Sequence, residues 1–224
     1  MVDNRILKDK SIFFGIVLFA SMFSMSVYSG HAVTAQNQTN TESKDTGSKD
    51  KLKLGLRDLW VDHIVYTRNY IISAAGNLSD AEPVAKRLLK NQEDIGNAIM
   101  PYYGDKAGEN LTKLLKEHIM GAVEILTAAK SGNTTGASAA EKKWFDNANE
   151  IAVFLSTANP NWSKDDLKNM LDEHLKLTKS EAVAQLNGNY EDSIASFDKI
   201  TKQAMEMSDT LSDGIIKQFP EKFT

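Results

Sequence analysis

The stretch Leu111 to Ile119, L-T-K-L-L-K-E-H-I, decides the fold because it occurs three times. Leu56 to Ile64 reads L-R-D-L-W-V-D-H-I, and Leu167 to Leu175 reads L-K-N-M-L-D-E-H-L. Each copy places Leu seven residues before a His, an acid directly before it and Ile or Leu directly after it. His118 follows His63 by 55 residues, and His174 follows His118 by 56. A Gly-Asn pair follows each His, at Gly76-Asn77, Gly132-Asn133 and Gly188-Asn189. A second signature comes next: Asn91-x-x-Asp94-Ile95, Asn147-x-x-Glu150-Ile151 and Gln203-x-x-Glu206-Met207. Its amides lie 28, 29 and 29 residues after their His. Agreement in two segments and in the turn between them identifies an internal repeat.

Between these marks the apolar residues recur at three- and four-residue steps, the period of one helix face. Leu56, Leu59, His63, Thr67, Tyr70 and Ala74 form one such stripe, and Leu88, Asn91, Ile95 and Ile99 the next. The expected fold is all-α: a six-helix bundle of three tandem αα-hairpins, over about 54–100, 106–158 and 164–213. Ser79 with Glu82 and Ser138 with Glu141 read as capping boxes, and Ser163 with Asp166 as a cap with a first-turn acid. Pro101, Asn159-Pro160 and Gly214 read as helix stops, with connections of about eight to eleven residues between hairpins. Three hairpins can stack as a short solenoid or close into a bundle. Closure is favoured because no terminal unit carries a visibly polar capping face.

The rest of the chain sets the context. Arg5, Lys8 and Lys10 precede an almost wholly apolar or small run, Ser11 to Gly30, and Val33-Thr34-Ala35 offers a small-x-small cleavage site. Residues 1–35 therefore read as a secretory signal peptide, the alternative being an uncleaved membrane anchor, since the run approaches the roughly 20 residues that span a bilayer. Either way residues 52–224, the helical-repeat domain, are expected outside the cytoplasm. Residues 36–51 have no large apolar side chain and read as a flexible polar linker. The chain has no cysteine, which removes disulfides and thiolate chemistry, and a formal net charge of −4, which argues against a nucleic-acid partner.

The repeated polar residues carry the functional question. His63, His118 and His174 and the amides Asn91, Asn147 and Gln203 fall inside apolar stripes, with a large residue four before each His and a small or Thr residue four after it. Buried polar groups need partners. In one reading His and amide bond to each other within each hairpin. In the other the three His converge on an axis and hold a divalent transition metal of the zinc, iron or manganese type, three imidazoles plus water being an open zinc pattern. There Asp94, Glu150 and Glu206 would add oxygen ligands, and Asp62, Glu117 and Glu173 would serve as outer acceptors. No helical metal signature, nucleophile elbow or phosphate loop is present, so no catalytic residue is assigned and an enzyme is disfavoured. Arg68 and Tyr66 read as a surface pair, Trp162 as a loop plug, and Tyr102-Tyr103 as aromatic packing over a bundle end. The chain thus reads as an extracytoplasmic binding or interaction module for a small ligand or an envelope protein. The alternatives are a metal-binding bundle, with or without enzymatic activity, and a structural envelope component.

Overall fold

The computed structural model describes residues 39–224, so the signal or anchor reading of residues 1–35 lies outside the described residues. The described residues form six α-helices, no strand and a terminal 3-10 turn. The helices are α1 (Thr39–Ala75), α2 (Ala81–Tyr103), α3 (Asp105–Lys130), α4 (Thr134–Ala158), α5 (Lys164–Leu186) and α6 (Tyr190–Gln218), followed by Pro220–Phe223. Among the described residues no helix is long and apolar enough to cross a membrane. Each helix packs on the next, and α6 packs back on α1, so the three hairpins close into a ring.

The repeat is visible in the backbone. Each hairpin's first helix ends in the same turn. Leu78, Asn133 and Asn189 donate to the carbonyls of Ser73, Ala128 and Ala184 at 2.8, 2.9 and 2.9 Å. The residue before each donor is left-handed: Asn77 at φ 54°, Gly132 at 73° and Gly188 at 74°. This is a Schellman ending, in which a residue that tolerates positive φ lets the chain reverse while satisfying the last carbonyls. The first hairpin uses Asn77, not Gly76, in that slot, so the aligned Gly-Asn letters are one residue out of structural register there.

Several boundaries differ from expectation. α1 begins at Thr39, inside the stretch read as a flexible linker. Helical backbone continues there because the base of α1 is tied to the C-terminus: Ser48 Oγ donates to the Phe223 carbonyl at 3.0 Å, and Lys53 meets Asp213 at 2.6 Å. Asp80, not Ser79, precedes α2 and makes no side-chain cap. α4 starts at Thr134, where Asn133 accepts from the Gly136 amide, so Ser138 and Glu141 lie within the helix. Pro101 sits inside the last turn of α2. Gly104 alone, at φ 83°, separates α2 from α3, in place of a longer connection. Gly214 does not end α6. It is a packing glycine, since a Cβ there would lie 1.9 Å from Trp162 Nε1. Ser163 does cap α5, accepting from the Asp166 amide at 3.4 Å.

The large side chains expected at the ends behave as packing. Trp162 is buried and donates to the Thr210 carbonyl at 3.2 Å. Tyr102 stacks on Phe223, and the Tyr103 hydroxyl bonds Gln218 at 2.9 Å. α2 and α3 approach backbone to backbone at Gly96 and Gly108: a Cβ on Gly96 would lie 2.6 Å from the Gly108 carbonyl oxygen and 1.9 Å from Thr112 Oγ1. Gly96→Ala is therefore expected to push the helices apart and to destabilise the domain by about 2 kcal/mol or more, read as a lower urea midpoint. An unchanged midpoint would contradict this crossing.

Candidate functional site

The three His sit on the first helices of the hairpins and are buried, with 4%, 5% and 4% exposure for His63, His118 and His174. Their burial follows from their place in the apolar stripes, and each is met from the second helix by an amide. Asn147 donates from Nδ2 to the Leu114 carbonyl at 3.2 Å, and its Oδ1 lies 3.0 Å from His118 Nδ1. Gln203 donates from Nε2 to the Met170 carbonyl at 2.9 Å, and its Oε1 lies 3.1 Å from His174 Nδ1. An amide oxygen only accepts, so Nδ1 carries the proton in both imidazoles and Nε2 keeps a lone pair.

The first hairpin divides this work between two residues. Asn91 donates to the Leu59 carbonyl at 2.9 Å, while Gln92 Nε2 lies 3.3 Å from His63 Nδ1. Gln92 also donates to the Leu88 carbonyl at 2.9 Å and to Asn91 Oδ1 at 3.1 Å. Here the amide nitrogen faces the ring, so His63 accepts at Nδ1 and carries its proton on Nε2, the opposite tautomer. The partner of His63 is thus Gln92, not Asn91. Gln92 lies 29 residues after its His, the same interval as Asn147 and Gln203. The departure from that interval at Asn91 was the signal for this correction.

The imidazoles gather in the middle of the ring. His63 and His174 have ring centroids 5.7 Å apart, His63 meets Trp60 edge to face at 5.4 Å, and His118 lies 5.3 Å from Trp144. Burial pushes His63 well below 6.5, and the charges of His174 and His118 add to this. Burial takes His118 down to about 4, helped by His174 and opposed by the Asn147 bond. Burial also lowers His174, against the Gln203 bond. All three are neutral at pH 7.

The acids proposed as ligands stay outside this layer. Asp62 pairs with Arg87 at 2.5 Å and Asp94 with Lys90 at 2.8 Å. Glu117, Glu150, Glu173 and Glu206 are exposed. A side chain one position from an inward residue points sideways, which places these acids on solvated flanks. Among the described residues no group of three or more His, Asp or Glu is arranged to hold a metal ion. The ring nitrogens that face the amides are committed to them.

The imidazole layer divides the core into unlike halves. On one side lie the residues three and seven before the His, including Trp60, Leu111, Leu115, Leu167 and Leu171, around a void of about 40 Å3. On the other side Thr67, Ala122 and Thr178, each four after its His, help line a cavity of about 370 Å3. Ile71, Leu88, Ile119, Leu126 and Trp144 form its buried inner wall, while Ala129, Thr134, Ser138 and Val183 form an exposed rim. The cavity exists because small residues stand where the other half has Leu and Trp. Thr67 and Thr178 turn their hydroxyls to the carbonyls of His63 and His174 at 2.7 and 2.9 Å, which spends their donors on their own helices.

Sequence reading noticed the small residue after each His but did not assign Tyr70, Ser138, Glu141, Trp144 or Lys179 to a site. They come from four helices, and no spacing along the chain links them. Arg68, read as a surface residue, is largely buried, donates to Glu181 at 2.5 Å and lies over Phe197 at 4.8 Å.

Two measurements test the imidazole layer. In the unfolded chain His118 takes its proton near 6.5, and in the fold only near 4. Between those values the unfolded state holds more protons, so stability is lost as pH falls, by about 3 kcal/mol for His118 alone. Nitrogen-15 shifts of its ring are expected to stay at neutral values until near pH 4, and titration near 6.5 would contradict its burial. Asn147→Ala is expected to cost about 1–3 kcal/mol by stranding both His118 Nδ1–H and the Leu114 carbonyl, seen in chemical denaturation. Compared with known proteins, the chain matches no family model, no curated protein and no solved structure.

Proposed function

We propose that this domain is a binding module, presented outside the cytoplasm, whose turn-side cavity takes a small and largely apolar ligand. The observation that carries the reading is the contrast between the two halves of one repeated core. The same framework packs densely on one side of the imidazole layer and leaves about 370 Å3 on the other. Protein interiors are close-packed, with few voids larger than a water molecule, whereas ligand pockets start at about 300 Å3 and are mostly apolar with a few placed polar groups. The gradation from a buried aliphatic wall to an exposed rim gives the cavity an entrance between α3, α4 and α5. The extracytoplasmic setting rests on the signal-like residues 1–35 and the absence of cysteine.

Titration with the uncharged fluorophore N-phenyl-1-naphthylamine tests the reading. Saturable, roughly one-to-one enhancement of its emission is expected from the full chain. Ala122→Phe, which fills the cavity one turn from His118, should abolish the enhancement while helical circular dichroism is retained. Ala182→Leu serves as a second filling variant if the first fails to fold. No saturable enhancement, or equal enhancement in a folded cavity-filled variant, would sink the proposal.

A further inference from the structure

Resting on the cavity reading above, we infer that the site selects an uncharged ligand bearing an acceptor oxygen, such as a medium-chain ketone, and discriminates against ionised amphiphiles of the same length. Two observations carry this. The first is the state of the polar groups on the wall. Trp144 is 4% exposed, and its indole N–H is buried with no hydrogen-bond partner among the described residues. Tyr70 also lines the cavity, makes no hydrogen bond to a described residue, and has its phenol held un-ionised by burial. Both are neutral donors. The two threonine hydroxyls have already donated to backbone. The wall therefore offers N–H and O–H to an incoming acceptor and no charge to an incoming ion.

The second observation is the ion pair at the rim. Lys179 Nζ lies 2.6 and 2.7 Å from the two carboxylate oxygens of Glu141, joining α5 to α4, and both residues line the cavity. The pair is internally satisfied. An incoming carboxylate would compete with Glu141 for Lys179, and an incoming ammonium would compete with Lys179 for Glu141. Either exchange leaves one partly buried protein charge without its partner, an unfavourable outcome. A ketone disturbs neither. Its oxygen can accept from the wall donors while its chain occupies the aliphatic interior. At roughly 30 Å3 per small group in a condensed phase, the cavity suits on the order of a dozen heavy atoms.

The test is competition against bound N-phenyl-1-naphthylamine at pH 7.5 by 2-nonanone, nonanoate and nonylamine. The ketone should compete at least about tenfold more tightly than either ion, the scale of about 1.4 kcal/mol. In Glu141→Gln, Lys179 is released, so nonanoate should gain severalfold while 2-nonanone is unchanged. Tyr70→Phe should weaken 2-nonanone severalfold and leave the fluorophore in place. Nonanoate or nonylamine binding as tightly as the ketone, an unchanged ketone-to-nonanoate ratio in Glu141→Gln, or unchanged ketone affinity in Tyr70→Phe would overturn the inference with the cavity reading intact. If the fluorophore itself is not bound, both fall.

Discussion

A single amide reaching from one helix to the next holds each hairpin in register. It donates to the carbonyl four residues before the His and faces the imidazole through its other atom. The net worth of a neutral hydrogen bond is only about 1 kcal/mol, but leaving a buried donor or acceptor unpaired costs about 1–3 kcal/mol. The asymmetry is what fixes geometry. Sliding either helix by one residue would strand an imidazole, an amide and a carbonyl together. The turn residue fourteen positions after the His and the bridging amide twenty-nine after it recur at the same interval in all three hairpins. In the first hairpin the work is split between Asn91 and Gln92, and the result is a reversed tautomer at His63.

That polar layer also makes the site. Imidazoles fixed at mid-height divide the core into two compartments that can be packed independently. Leu, Ile and Trp fill one compartment almost completely. Ala and Thr line the other and leave it open. The dense half supplies stability, since burial of apolar surface is the main favourable contribution to folding. The open half can therefore carry a cavity and two unpaired donors without the fold depending on what occupies it.

Ring closure is managed by residues outside the repeat. Arg57 grips Asp209 through two hydrogen bonds at 2.7 and 2.6 Å, joining α1 to α6. Arg68 reaches Glu181 on α5 and lies over Phe197 on α6. The other hairpins have no counterpart of this pairing, because only the first and last units face each other across the closing seam. Burial pushes the Glu181 carboxyl up to about 7, against the hydrogen bond and charge of Arg68. Copied positions thus build the core, and uncopied ones join its ends.

The sequence alone established the helices, the three hairpins and the inward imidazoles, because helical periodicity and repetition are local properties of the chain. It also held the pattern behind the cavity, a large residue four before each His and a small one four after it. It misplaced the partner of His63, because matching letters favoured Asn91, whereas a constant interval of 29 residues selects Gln92. Only the tertiary structure decided that the hairpins close, that the repeated acids remain on the solvated flanks, and that Tyr70, Glu141, Trp144 and Lys179 border one cavity. Those outcomes depend on which faces of separate helices meet in space. A stripe marks which face is buried, but the facing residues on the other helices decide whether the space between them is filled.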